Sequence, residues 1–247
     1  MPHRAVLLVL LAAVAAASAV DARADVSLRV EAGGVWQARN NVSIPGDGGS
    51  RFAVDGITGN GPFAFARLEL EADLAERHAV RLVYAPLRLS ETGNSAAPVE
   101  FAGERFDAGL VAVTYQFNAP RLTYRYQLRE SERWQLQVGF TLLVRDAVVR
   151  LRQGGVRAED SDVGLVPLLH LAGSYRLDDR WRLAFDLDGL AAPQGRAFDL
   201  GVQVEHALTE RWDVAVGYRT LEGGVDNDDV YNFSWFNYAL VAVAYRF

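Results

Sequence analysis

The chain of 247 residues has no cysteine, and its 25 basic side chains include no lysine: all are arginine. Without cysteine, no disulfide can staple a small secreted core. A formal net charge of −6 offers no basic patch for nucleic acid, so nucleic acid is not expected as a partner. After residue 20 no run approaches the ~18 uninterrupted apolar residues of a spanning helix. Half of the residues are nevertheless hydrophobic. The lack of lysine has two readings. Guanidinium groups make bidentate pairs inside a filled interior or with phosphates. Alternatively, codon usage rich in G and C favours Arg, which is the preferred reading.

The one long apolar run is Ala5 to Val20, preceded by His3 and Arg4 and followed by small residues. Ala17-Ser18-Ala19 and Ala22-Arg23-Ala24 both fit an A-x-A cleavage site. Cleavage after Ala24 is preferred, because an alternating pattern begins at Val26. The run is short for a span of about 20 residues. Residues 1–24 are therefore expected to be a signal peptide and 25–247 a single domain. An exported, apolar chain without spanning helices is either a secreted β-protein or a membrane barrel. In hydrocarbon every backbone group must be paired internally, so only a closed barrel serves in the second case.

The segment Tyr231 to Phe247 favours the barrel. Phe247, Tyr245, Val243, Val241 and Ala239 fall on one face, with Arg246, Ala244, Ala242, Leu240 and Tyr238 on the other. That is a strand with a bulky apolar face and a small or polar one. It resembles the closing strand of bacterial outer-membrane β-barrels, whose terminal aromatic residue is read by the assembly machinery. The resemblance implies a Gram-negative outer membrane. It also implies outer-membrane lipid, lipopolysaccharide and, through Phe247, the barrel assembly machinery as partners.

An internal repeat supports the same architecture: an acid, an Arg and a ring recur as Glu76-Arg77-His78, Glu132-Arg133-Trp134, Asp179-Arg180-Trp181 and Glu210-Arg211-Trp212. Alternating segments flank each copy. Short turns of this kind look like the periplasmic turns of outer-membrane barrels, with the ring at headgroup level. Four inner turns and two inner termini give ten strands: 26–38, 61–74, 78–90, 113–129, 134–149, 163–177, 181–190, 197–208, 212–221 and 231–247. The expected fold is an all-β, transmembrane, antiparallel up-and-down barrel of ten strands, with eight or twelve as alternatives. Twelve requires Val99 to Gly109 to cross the membrane rather than form a hairpin in the second outer loop. The outer connections are expected at 39–60, 91–112, 150–162, 191–196 and 222–230.

Alternation then assigns faces. Arg67, Glu69, Glu71, Asp73, Arg81, Arg121, Arg125, Gln127, Arg145, Arg176, Arg182, Asp186, Asp188, Asp199, Gln203, Glu205, Asp213 and Arg219 point inward. Carboxylates and guanidiniums are nearly balanced there, and a ten-stranded lumen is narrow. A plugged interior is expected rather than a selective pore, which needs an excess of one sign. If Leu177 pairs with Trp181, His170 lies opposite Asp188; Glu71 likewise faces Arg81. His170, Asp186, Asp188, Asp199, Arg219 and Arg145 are the candidate ionisable belt. Structural pairing within a plugged lumen is the preferred reading of it.

No catalytic residue is assigned. Outer-membrane lipid hydrolases resemble one another in a serine two residues after a histidine. Here His78, His170 and His206 are followed at that spacing by Val80, Ala172 and Leu208. His170 with Asp188 imitates half of the acidic and Asp-His arrangement of ten-stranded outer-membrane proteases, and nothing else matches. No cofactor and no metal are expected. Asp226, Asp228 and Asp229, with Asn227, form only a weak Ca²⁺ candidate that lacks an EF-hand glutamate.

Three blocks are similar to blocks in a group of small outer-membrane barrels of no assigned activity: Val166 to His170, Asp186 to Arg196, and Gly217 to Arg219 with Glu222-Gly223-Gly224. The functional expectation is a non-enzymatic barrel with a structural or binding role exercised through its outer loops. The alternatives are a narrow channel for small solutes and an enzyme acting on lipid A or surface peptides through the His170 and Asp188 region.

Overall fold

A computed structural model describes residues 25–247 of the protein. The expected signal peptide lies outside the described residues. Ten strands form the barrel wall: β1 (Val26–Ser43), β3 (Phe63–Ala75), β4 (His78–Tyr84), β9 (Arg121–Glu130), β10 (Trp134–Gln153), β11 (Val156–Arg176), β12 (Trp181–Ala192), β13 (Gly195–Ala207), β14 (Trp212–Asp226) and β15 (Tyr231–Arg246). All neighbours are antiparallel. The β10–β11 and β15–β1 ladders close the ring, and the β11–β12 ladder stops at Leu169 and Gly189. β1 runs from Ser27 opposite Arg246 to Ser43 opposite Tyr231, with one bulge at Ala38.

The remaining elements sit at the outer end. They are β2 (Phe52–Ala53), a short helix α1 (Val54–Thr58), β5 (Pro86–Ser95), β6 (Val99–Phe101), β7 (Glu104–Phe106) and β8 (Gly109–Asn118). β6 and β7 form a separate hairpin, so Val99 to Gly109 does not cross the membrane and the count stays at ten. β4 with β5, and β8 with β9, are two long strands interrupted at Ala85 and at Ala119-Pro120. Their register is unbroken, from His78 opposite Tyr126 to Ser95 opposite Gly109. The third outer connection was expected at 150–162 and is corrected here. β10 and β11 pair from Gln153 and Val156 downward, so most of that segment is a tall hairpin, flanked by β8 along its β10 side up to Arg152.

The lipid-facing band follows the alternation. Phe140, Leu122, Leu165, Leu169, Val241 and Val243 are outward and exposed, while Arg121, Asp199, Arg219 and Glu31 are buried inside. At the outer end the phase reverses. Val80, Leu82 and Tyr84 of β4 sit at outward positions, but Leu87 and Leu89 of β5 point inward, as do Val111, Val113 and Tyr115 of β8. Arg88, Ser90, Thr114 and Gln116 then face outward. That is the pattern of a sheet in water with an apolar core, so these strands have left the lipid. The inward apolar residues pack with Val35, Phe236, Leu151 and with Phe52, Val54, Phe101 and Phe106 from the loops, forming a dry plug across the outer half of the lumen.

The inner turns share one construction. In three of them a side-chain oxygen accepts the N–H of the tryptophan three residues on: Ser131 for Trp134, Asp178 for Trp181 and Thr209 for Trp212. The arginine carbonyl of each repeat accepts an N–H from the neighbouring strand, at Gln127, Arg176, Ala207 and Arg246. The ring after it packs on a ring of that strand: His78 on Tyr126, Trp134 on Tyr175, Trp181 on His206 and Trp212 on Tyr245, with centroids 4.3–5.3 Å apart. The repeat thus builds four ring pairs of an aromatic girdle at the inner rim. His206 belongs to that girdle.

Candidate functional site

Below the apolar plug the lumen is crossed by a belt of charge. Arg67, Arg81, Arg121 and Arg219 meet Glu31, Glu69, Asp186, Asp188 and Asp199. Seven wall strands bring these residues in at nearly one height. Asp199 is the hub. It accepts from Arg219 Nη1 at 2.6 Å and from Arg121 Nη1 at 2.8 Å, and Arg67 Nη1 lies at 3.4 Å. Asp188 accepts from Arg121 at 3.0 Å and Asp186 from Arg219 Nη2 at 3.0 Å. Arg67 Nε reaches Glu69 at 2.5 Å. Each of these arginines is at most 3% exposed. Isolated charges at such burial are costly, and it is mutual pairing that keeps them ionised.

Glycine makes the belt possible at one point. Gly201 of β13 faces the lumen, and a Cβ there would lie 2.7 Å from Arg219 Nη2 and 2.8 Å from Asp186 Oδ2. The missing side chain is the space in which that bidentate pair sits.

His170 stands opposite Asp188, as the turn register implied. Its Nδ1 is 2.6 Å from Asp188 Oδ1, which also accepts from Thr141 Oγ1 at 2.7 Å. On its other side, Arg125 Nε donates to His170 Nε2 at 3.1 Å. A ring nitrogen that accepts from a guanidinium carries no proton, so the imidazole is neutral and its proton is on Nδ1. Both nitrogens are engaged.

Of the candidate residues read from sequence, the structure brings His170, Asp186, Asp188, Asp199 and Arg219 together. Arg145 is a correction: it points inward but above the belt, paired with Asp162. Two strand positions separate it from Leu143, which is level with Arg121, and the belt closes without it. Glu71 does face Arg81 in the ladder, but its ion pair is with Arg125. Arg81 turns toward Glu69, Asp186 and Asp188 instead. Glu31 and the Thr123–Thr141 pair complete the belt and were missed by sequence reasoning. Glu31 carried a usable signal, since it is in phase with the inward residues of β1.

Beneath the belt the lumen opens to the inner mouth through a polar vestibule of about 290 Å³, lined by Ser27, Arg29, Glu71, Arg125, Gln137 and Glu205 among others. In the outer loops, Asn227 Oδ1 accepts from the N–H groups of Asp229 and Val230. Among the described residues no three acidic or histidine side chains gather closely enough to hold a metal ion, so Asp226, Asp228 and Asp229 form no such group.

No protein-family model and no curated protein matches the chain. Among solved structures it is similar to the outer membrane protease OmpT from Escherichia coli. The TM-score is 0.52 at 10% identity, over 90% of this chain and 97% of that one. It is also similar to the beta domain of the Bordetella autotransporter BrkA, with a TM-score of 0.48 at 14% identity over 91% and 99% of the two chains. An outer membrane channel from Pseudomonas putida F1 gives 0.43 at 10% identity over 90% and 96%. The likeness to OmpT is one of fold: the chain folds as a bacterial outer-membrane β-barrel. At such identity, activity does not carry across.

Proposed function

We propose that the protein resides in the outer membrane of a Gram-negative bacterium as a closed, non-enzymatic barrel, with a binding or structural role rather than one in transport. The observation that carries this reading is the stack inside the lumen. A belt of mutually paired charges spans the bore, and an apolar plug fills much of the space above it. An ion entering from the vestibule would have to break several buried pairs and would then meet apolar surroundings, and each step is unfavourable.

Catalysis at His170 is disfavoured by the same geometry. Its ring nitrogens are committed to Asp188 and Arg125, and it lies 3% exposed beneath the plug. No surface peptide or lipid headgroup reaches it there. Planar-bilayer recording of the purified protein tests the reading. A flat baseline is expected, and steady single-channel steps would overturn it. Lipid A profiles and surface-peptide turnover should be the same in a strain carrying His170→Ala with Asp188→Asn as in its parent. A change in either would return the enzyme alternative.

A further inference from the structure

The wall is not sealed along its whole height. β11 and β12 pair from Arg176 and Arg182 up to Leu169 and Gly189, and there the ladder stops. β12 continues to Ala192 paired only with β13, while β11 continues to Val156 paired only with β10. With ~3.3 Å per residue and a tilt near 40°, Trp181 to Gly189 climbs roughly 20 Å of an apolar band about 25 Å tall. The seam therefore opens within the outer leaflet. The outward residues of β11 beside it are Val163, Leu165 and Leu169, all exposed and apolar.

Behind the seam lies a cavity of about 360 Å³, within the range of small-molecule sites. Much of its wall is aliphatic, with Leu143, Val166, Leu168, Leu190, Ala197 and Leu221, and the Arg196–Glu222 pair, matched in charge, also lines it. Its floor is the Arg121–Asp199 pair, whose charges are already matched. Arg145 stands higher on the same wall, opposite Gly164, near the outer limit of the lipid band. Its guanidinium pairs with Asp162, but its Nε is buried and has no hydrogen-bond partner among the described residues. A buried guanidinium N–H without an acceptor is costly. Arg145 is also among the residues that line the space behind the seam.

We infer that this cavity is a binding site for a single-chain amphiphile with a carboxylate head, of the long-chain fatty acid class. The tail occupies the aliphatic chamber, the carboxylate accepts from Arg145, and the seam between β11 and β12 is the route from the outer leaflet. A single acyl tail fits the chamber's modest volume. A monoanionic planar head suits one guanidinium shared with Asp162. This assignment goes beyond the closed-barrel reading and fails separately from it. Channel steps would refute the closed lumen and leave the cavity untouched, whereas lost binding would remove the site and leave the lumen closed.

The test is titration of the purified, detergent-solubilised full barrel with a fluorescent fatty acid, displaced by oleate or by oleyl alcohol. Saturable binding near one per barrel is expected, with oleate displacing the probe better than the alcohol. Leu168→Trp and Ala192→Phe, which fill the chamber at its wall and at its rim, should each weaken binding about tenfold or more. Folding of both is checked by circular dichroism, and Ala192 at the exposed rim tolerates bulk where Leu168 is fully packed. Arg145→Gln should lower oleate affinity about tenfold and leave the alcohol unchanged. Binding that survives both filling variants, or equal loss of acid and alcohol on Arg145→Gln, would overturn the proposal. So would probe uptake that never saturates.

Discussion

Arg125 Nε donates to His170 Nε2 at 3.1 Å, while Nδ1 of the same ring donates to Asp188 Oδ1 at 2.6 Å. The imidazole is a neutral spacer between a cation and an anion that would otherwise face each other across the belt. It joins Arg125, which also pairs with Glu71 near the vestibule, to Asp188 at the centre. His170→Ala leaves one guanidinium N–H without an acceptor, deprives Asp188 of a donor and opens a cavity. A loss of about 1–3 kcal/mol in denaturant unfolding is expected. The double variant Arg125→Met with His170→Leu, which removes both polar partners, should recover part of that loss. A double variant less stable than the sum of the single ones would contradict this role.

Asp199 carries more than His170. Three guanidiniums converge on it, and each also reaches a second carboxylate: Arg121 at Asp188, Arg219 at Asp186 and Arg67 at Glu69. Asp199→Ala removes the carboxylate that draws Arg121, Arg67 and Arg219 together and breaks one pair of each in a buried space. Breaking a buried pair from one side costs about 3–5 kcal/mol, so this variant should lose at least that much or fail to refold. Refolding yield into lipid vesicles is the measurement. Asp199→Asn, which keeps an oxygen acceptor for the same guanidiniums, should refold better than Asp199→Ala.

The barrel itself was legible in the sequence because its determinants are local. Period-two alternation and short turns placed all ten strands, and counting across one turn put His170 opposite Asp188. The belt was legible only in part. Alternation tells which side a residue faces, not how far a long side chain travels, so Arg81 reaches Asp188 past its ladder partner Glu71, and Arg145 falls short of the belt. The plug was not read, although the reversal of phase between Leu82 and Leu87 records it. An alternating strand looks the same whether its apolar face meets lipid or a dry core. Only the neighbouring strands and the loop residues Phe52, Val54, Phe101 and Phe106 decide which.

The inner turns predict a pH response confined to one of them. Asp178 Oδ1 accepts from the backbone N–H groups of Arg180 and Trp181, both at 2.8 Å, which holds its carboxyl below the ordinary range. A depressed carboxylate stabilises the turn fully above the ordinary value of about 3.9, and the contribution is lost as pH falls through the lower folded value. In the adjacent turn Thr209 makes the corresponding bond to Trp212 and does not titrate. The amide resonance of Trp181 should therefore move with a midpoint below about 3.9, while that of Trp212 stays fixed. Equal movement of both, or a midpoint at the ordinary value, would refute the turn assignment.

The last prediction concerns Gly201, whose absent side chain accommodates Arg219 and Asp186. In Gly201→Ala a methyl group arrives about where the guanidinium Nη2 and the carboxylate Oδ2 meet at 3.0 Å. Neither group has slack to retreat, since Arg219 Nη1 is held by Asp199 and Asp186 is also approached by Arg81. The ion pair must open, and two buried charges lose part of their partnership. Overpacking alone costs about 1–3 kcal/mol, so Gly201→Ala should lie at or above the top of that range and Gly201→Val beyond it. Glycine-to-alanine exchange in a strand ordinarily stabilises by roughly 0.5–1 kcal/mol through backbone entropy, so the sign separates the two cases. Unfolding of Gly201→Ala at a denaturant concentration equal to or above the parent's would mean that the belt does not occupy this space.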